Sequence, residues 1–519
     1  MKYFILCITI LTASTASLMA EETLHPLFTD NAVLQRGVPL PVMGTGGEGE
    51  IFVTLAGKTL TTTVKSGEWR VVFEPLKAGG PYTITVKGES TTTVKNVLIG
   101  DVWICTGQSN MASRLGGYVK RYPKLLKGHP GDYANDNIRL MKVKVEAADT
   151  PQKKPTLAAN FKSWKSCSPQ SAMAFSATGY FFGTNLQSHV KVPIGLIQTC
   201  MGGTLAESWT PKETLEGNPR YKDIRDVQAK AEKNFHAANA RYLKRLEAWE
   251  TKKTPKGKKP HPPKGPTDIK RPSALYNAMI ASIHAFPIKG AIWYQGEGNA
   301  HSNERAEQYR YLLPDMIKSW RQKWGVGDFP FYWVQLAPFK SISPQPQDTP
   351  WARMREVMDD IQTTVPNGGM ACIIDGGSQK DIHPPYKEFA GARLALLARR
   401  NTYGQNILAT GPTLKSTKVV GSKMILTFDN VGDGLIKKAL SLDNDTVKVS
   451  GENPVGFTIA GKELTYKNAQ AKISGKTTVE VWADGVAAPT AVRYAWADFP
   501  LANLYNSADL PTGPFRTDK

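Results

Sequence analysis

The stretch Asp101–Met111, DVWICTGQSNM, ends an apolar run abruptly on a glycine, an amide, a hydroxyl and another amide. A serine at the turn from a strand into a helix can hold its hydroxyl outward as a nucleophile, and Gly107 would permit that tight turn. The same position also suits an ordinary helix-capping serine, so Ser109 by itself leaves both readings open. Three other stretches carry what a serine nucleophile needs. They are IQTCMGGTLAESW (197–209), IWYQGEGNAH (292–301) and CIIDGGSQKDIHPP (372–385). His383 is a candidate general base, and Asp381, two residues before it, can reach the imidazole through a turn and fix its tautomer. His301, after the QGEGNA loop, is a rival base. Glu297 could orient the base in place of Asp381, hold its loop through backbone N–H groups, or bind a substrate hydroxyl. Gly202, Gly203 and Thr204 can bring backbone N–H groups close to a ligand, and the Gln295 side chain offers an N–H₂ donor. With the Ser109 N–H, these are the donors that an oxyanion requires. Nucleophile, base, acid and donors together point to acyl transfer.

Each of these stretches is an apolar strand running into a polar loop, and the chain between them repeats the pattern. From Val97 to about Arg400, strands such as VLIGDVWICTG, VPIGLIQTCMGG and IKGAIWYQGEG alternate with helical stretches. Examples of the latter are SATGYFFGTNLQSHV, SALYNAMIASIHAF and RAEQYRYLLPDMIKSWRQKWG. Repeated βα units predict an α/β fold whose mostly parallel sheet is covered on both faces, with ligands bound outside the carboxyl ends of its strands. The flanks differ. Thr23 to Asn96 and the chain from about Gly411 onward read as short antiparallel strands broken by glycine and proline. The expected organisation is a leader at 1–20, an N-terminal β-sandwich at 21–97, the α/β hydrolase domain at 98–409 and a C-terminal β-sandwich at 410–519. A basic helical insertion at about 222–271, one or two polar surface helices and a lysine- and proline-rich loop, interrupts the α/β part.

Composition limits the partners. MKYFILCITILTASTASLMA reads as a secretory leader cleaved near Ala20, which predicts a secreted or periplasmic protein; no stretch is long and apolar enough to span a membrane. Cys105, Cys167, Cys200 and Cys372 form no metal-binding spacing, so neither a metal nor another cofactor is expected. An oxidising compartment permits one or two disulfides among them, with no pairing set by sequence. A formal charge of +20 favours anionic partners. The lysines of 253–271 are not interleaved with aromatics, however, which argues against nucleic acid as the partner.

The blocks GQSNM (107–111), GGTLAESW (202–209), WYQGEGN (293–299) and DIHP (381–384) resemble those of the sialate O-acetylesterase family of SGNH hydrolases. LFTDNAVLQRGVPLPVMGTG near the start and AVRYAWADFPLANLYNSADLPTGPFRTD near the end extend the resemblance over nearly the whole mature chain. It implies an SGNH-type, doubly wound α/β/α sheet and a secreted serine esterase that removes acetyl groups from O-acetylated sugars without a metal. Carried over, Ser109 is the nucleophile and His383 the base, while Ser109, Gly203 and Gln295 form the oxyanion hole. The last block departs from the wider SGNH pattern, with Lys380 where Asp-x-x-His would place an aspartate. Asp381 is therefore the expected acid, with Glu297 the alternative and Asp375 third. Asn110, Arg114, Glu297 and Asn299 are the candidate substrate-binding residues. O-acetylated sialic acid is the substrate the resemblance suggests. A neutral polysaccharide such as acetylxylan presents the same ester, and a catalytically inactive glycan-binding protein is the reading from another class.

Overall fold

The computed structural model describes residues 23–122, 133–251, 257–443 and 446–518. The predicted leader lies outside them. The central strand, Thr91–Gly107, is apolar from Val97 and buried on both faces. Its side chains alternate as a strand requires: Val102 and Ile104 enter one hydrophobic core, Trp103 and Cys105 the other. The sheet runs in the order Lys165–Cys167, Asn135–Lys142, Ile194–Cys200, Thr91–Gly107, Gly290–Tyr294, Phe331–Val334, Gly368–Ala371. Every neighbouring pair is parallel except the edge strand Lys165–Cys167, so the sheet is mixed. After Thr91–Gly107 the chain builds outward on one side, then crosses to Gly290–Tyr294 on the other. That reversal opens a crevice at the carboxyl end of the central strand, where Ser109 follows.

Helices cover both faces. Ala177–Val190, capped by the Ser176 hydroxyl accepting from the Gly179 N–H at 3.0 Å, lies with Lys387–Leu397 on one side. Asn303–Trp324 and Pro350–Asp360 lie on the other. Asn303–Trp324 starts at a Ser302 cap and stops at Gly325, whose φ of +67° gives the left-handed end glycine adopts without strain.

Several expectations need correction. The boundary drawn at 97/98 falls inside one continuous strand. The N-terminal half of Thr91–Gly107 pairs with Gly79–Lys87 and Val33–Gln35, so the N-terminal β unit shares a sheet and a core with the α/β part. The insertion, expected as one or two helices, forms the single helix Lys222–Glu250. The stretch 273–286 is not a regular helix but a π turn, Tyr276–Ile280, followed by a 3₁₀ turn, Ala281–Ile283. There the Asn277 side-chain amide donates to the Ala148 carbonyl at 3.1 Å. The four cysteines from Cys105 onward are free thiols. Burial pushes Cys200 up to about 11, and Cys167 and Cys372 up to about 12. Among the described residues no helix is long and apolar enough to cross a membrane.

The C-terminal region holds two four-stranded antiparallel sheets around Leu426, Phe428, Val479, Phe457 and Val492. Ile374, from the loop after the last central strand, enters this core. Asp375 receives a two-pronged ion pair from Arg393 (2.6 and 2.7 Å) and a hydrogen bond from the Tyr505 hydroxyl at 2.8 Å. Arg355, fully buried, donates to the carbonyls of Leu336, Ala337, Ala497 and Asp498. The Gln379 amide donates to Asp443 at 3.3 Å and the Tyr386 hydroxyl to the Ser441 carbonyl at 3.4 Å. The C-terminal region, through its loops and two smaller two-stranded sheets, thereby braces the loop that carries His383.

Candidate active site

Gly107 has φ +129°, and a methyl group there would lie 2.2 Å from the Tyr294 carbonyl oxygen. Only glycine fits this approach of the central strand to its neighbour. The Gln108 N–H then donates to that same carbonyl at 2.9 Å, and the short helix Ser109–Ala112 begins. Its first N–H groups, Ser109's among them, have no intrahelical acceptor.

The residues around Ser109 fasten each of the other loops. The Met201 N–H donates to the Gly107 carbonyl at 3.1 Å, and a methyl group on Gly202 would sit 3.4 Å from Ser109 Cβ. Gly203 follows with φ +68°. The Gly298 N–H donates to Gln108 Oε1 at 3.3 Å. Asn110 donates from its amide to Glu297 Oε1 and, at 3.1 Å, to the carbonyl of Ile382, the residue before His383. Lys387 donates to Asn110 Oδ1. The four loops expected to cooperate therefore meet at Gln108, Ser109 and Asn110.

His383 Nδ1 lies 3.4 Å from Asp381 Oδ1, which also accepts the His383 backbone N–H at 2.9 Å. Arg121 holds the other Asp381 oxygen at 2.7 Å. Burial lowers the imidazole below its usual range, the Lys387 charge adds to this, and Asp381 opposes it. The ring is thus neutral near pH 7 and able to accept a proton. Glu297 is bonded to Asn110 and only 8% exposed, and burial raises its carboxyl above the ordinary range. Asp375 is committed to Arg393 and Tyr505, and His301 is exposed with Nδ1 on the Gly298 carbonyl at 3.1 Å.

Two groups of expected residues are placed differently. Gln295 is fully buried, and its Nε2 already donates to the Thr204 carbonyl (3.2 Å) and Asn299 Oδ1 (2.7 Å) while Oε1 accepts from the Tyr309 hydroxyl. Both amide hydrogens are engaged, so Gln295 braces the Gly203 loop rather than donating to an oxyanion. Asn110 is engaged at both amide hydrogens and at its oxygen, while Asn299 accepts from the Ala206 N–H and Gln295 and donates one amide hydrogen to Glu207. Both asparagines tie neighbouring loops together. Arg114 is exposed just before the helix Leu115–Arg121. Sequence reasoning missed Arg121, Lys387 and Lys270. Lys270, in the basic insertion, has its Nζ 2.9 Å from where a methyl group on Gly203 would stand. Nothing in local sequence marks these three; their roles come from chain segments folding against one another.

A serine at the switch point of an α/β sheet, beside a glycine pair and joined through its neighbour Asn110 to a histidine–aspartate loop, is the layout of a carboxylic ester hydrolase. The profile of the family described as carbohydrate esterase, sialic acid-specific acetylesterase, matches residues 99–240 and 262–380. The chain belongs to that family. The mouse sialate O-acetylesterase is 28% identical over 89% of this chain and 86% of its own length. The human enzyme is 26% identical, over 89% and 84% respectively. The crystal structure of a carbohydrate acetylesterase from Xanthomonas citri aligns with a TM-score of 0.78 at 34% identity, covering 96% of this chain and all of that one. The gap in the profile match, 241–261, takes in the end of the helix Lys222–Glu250 and the residues that follow it.

Proposed function

We propose that the protein is an exported serine esterase of SGNH type that hydrolyses O-acetyl esters of sugars through an acetyl-serine intermediate. The reading rests on Asn110, which links the loop of Ser109 directly to the residue before His383. Ser109 Oγ attacks the acetyl carbonyl as His383 Nε2 takes its proton, while Asp381 holds Nδ1 and stabilises the imidazolium. The tetrahedral oxygen accepts from the N–H groups of Ser109 and Gly203. Collapse breaks the ester bond, and the sugar oxygen leaves with the proton from His383. Water, deprotonated by the same imidazole, then attacks the acetyl-serine; acetate departs and the Ser109 hydroxyl is restored. Ser109→Ala should abolish p-nitrophenyl acetate hydrolysis with the fold intact, and a serine-directed phosphonate should label the unaltered protein only. Near-native turnover by Ser109→Ala would remove the assignment.

The substrate this reading favours is an O-acetylated sialic acid. Besides the family relationship, the support is the Lys270 ammonium beside the Gly203 loop, placed where it can attract a sugar carboxylate. Acetate release from acetylated sialic acid and from acetylxylan, measured side by side, tests this. Lys270→Ala should lower kcat/KM and its salt dependence on the anionic sugar alone. Equal losses on both substrates, or preference for acetylxylan, would make the substrate a neutral glycan. Export rests on the leader pattern of residues 1–20, and N-terminal sequencing of the mature protein tests it.

A further inference from the structure

Lys387 is a cation where one is costly. It opens the helix Lys387–Leu397, is only 3% exposed, and points its ammonium at Asn110 Oδ1, with the Tyr294 ring centroid 5.4 Å away. Burial brings its proton affinity down to about 7, against the pull of Glu297 and Asp381. A buried lysine paired through an amide to a buried glutamate costs desolvation that an apolar pair would not. Its contact with Asn110, the residue after Ser109, suggests what it supplies instead.

The chemistry of the partners is asymmetric. The lysine nitrogen donates to the Asn110 oxygen, whereas the backbone carbonyl of Ile382 can only accept. With Lys387 on one side, and Glu297 and the Ile382 carbonyl on the other, the Asn110 side chain has a single satisfactory orientation. Its oxygen meets Lys387, and its two N–H bonds meet Glu297 and Ile382. Turning the amide over would set N–H against N–H and oxygen against two oxygens. Building on the serine esterase reading above, we infer that Lys387 is a positioning residue: by fixing the Asn110 amide it holds the His383 loop at a set distance from Ser109. Its charge also acts on the base directly. The charged groups that bear on His383 are Lys387, Asp381 and Arg121, and those that bear on Lys387 are Glu297, Asp381 and Arg121. Lys387 and Arg121 lower the imidazole affinity for protons, and Asp381 raises it.

The test is Lys387→Met, which keeps the length and removes charge and donor. On p-nitrophenyl acetate, kcat should fall about 10²-fold with KM little changed, the scale of an ångström-sized misplacement. Removing the cation favours the imidazolium, so the acid limb of kcat/KM should move to higher pH, which a purely structural defect would not do. Asn110→Leu leaves Lys387 in place but removes the link, and should give a similar kcat loss. The double variant should be no worse than the poorer single one. If Lys387→Met fails to fold, Asn110→Leu decides. Wild-type kcat in Asn110→Leu, additive losses, or an acid limb that stays or moves to lower pH would overturn the inference. None of these outcomes touches the esterase reading, which stands or falls with Ser109→Ala.

Discussion

Replacing Asp381 by asparagine isolates the contribution of one carboxylate to the base. Asp381 Oδ1 is 3.4 Å from His383 Nδ1. At an effective dielectric constant of about 20, unit charges at that separation attract by about 5 kcal/mol once the imidazolium forms. Two features reduce this. The imidazole side chain is 41% exposed, so water screens the pair, and Arg121 draws on the same carboxylate from 2.7 Å. About half remains, roughly 2.5 kcal/mol, which is on the order of 10²-fold in kcat. An asparagine can also stabilise the wrong imidazole tautomer, which extends the expected loss towards about 10⁴-fold. The assay is steady-state hydrolysis of p-nitrophenyl acetate across the acid pH range for Asp381→Asn and Glu297→Gln in parallel. Asp381 raises the proton affinity of His383, so its removal lets that affinity fall further. The acid limb of kcat/KM should then move to lower pH while the plateau drops, opposite to the shift expected for Lys387→Met. Glu297→Gln keeps an acceptor for Asn110 and should lose less. A larger loss from Glu297→Gln than from Asp381→Asn would make Glu297 the acid and refute the reasoning.

Gly107→Ala should nearly abolish turnover. Its methyl group would have to displace the Tyr294 carbonyl that holds the Gln108 N–H, and the left-handed backbone adds about 1–3 kcal/mol of strain, readable as a lowered unfolding midpoint. Asp375→Asn leaves the buried Arg393 guanidinium without its carboxylate and should destabilise the protein by about 3–5 kcal/mol in denaturant titration. If the free thiols persist in solution, reductant should leave the melting temperature unchanged, and the buried Cys105, Cys167 and Cys200 should react with thiol reagents only after unfolding. In the folded chain Lys387 gives up its proton near pH 7, and in the unfolded chain near its ordinary value. The unfolded state therefore holds the extra proton between those limits, and this group makes stability rise with pH through that window. Melting curves at pH 7 and 9 should show a smaller rise for Lys387→Met than for the wild type.

Strand-to-loop transitions were legible in the sequence because they depend on local periodicity and on glycine. The alternation of Val102 to Cys105, the turn at Gly107 and the convergence of four strand ends follow from short-range pattern and one rule of α/β sheets. Motif resemblance added the reaction class. The tertiary structure decided the questions of contact. It placed Asp381, rather than Glu297, at His383 Nδ1, and it engaged both amide hydrogens of Gln295 with Thr204 and Asn299. It also ran one strand through the boundary expected at 97/98. Lys387 was invisible for the same reason: its partner Asn110 lies 277 positions away in the chain. A hydrogen bond between such distant segments leaves no spacing to read. It is decided only when the start of one helix packs against the turn after another element's strand and every buried donor must find an acceptor.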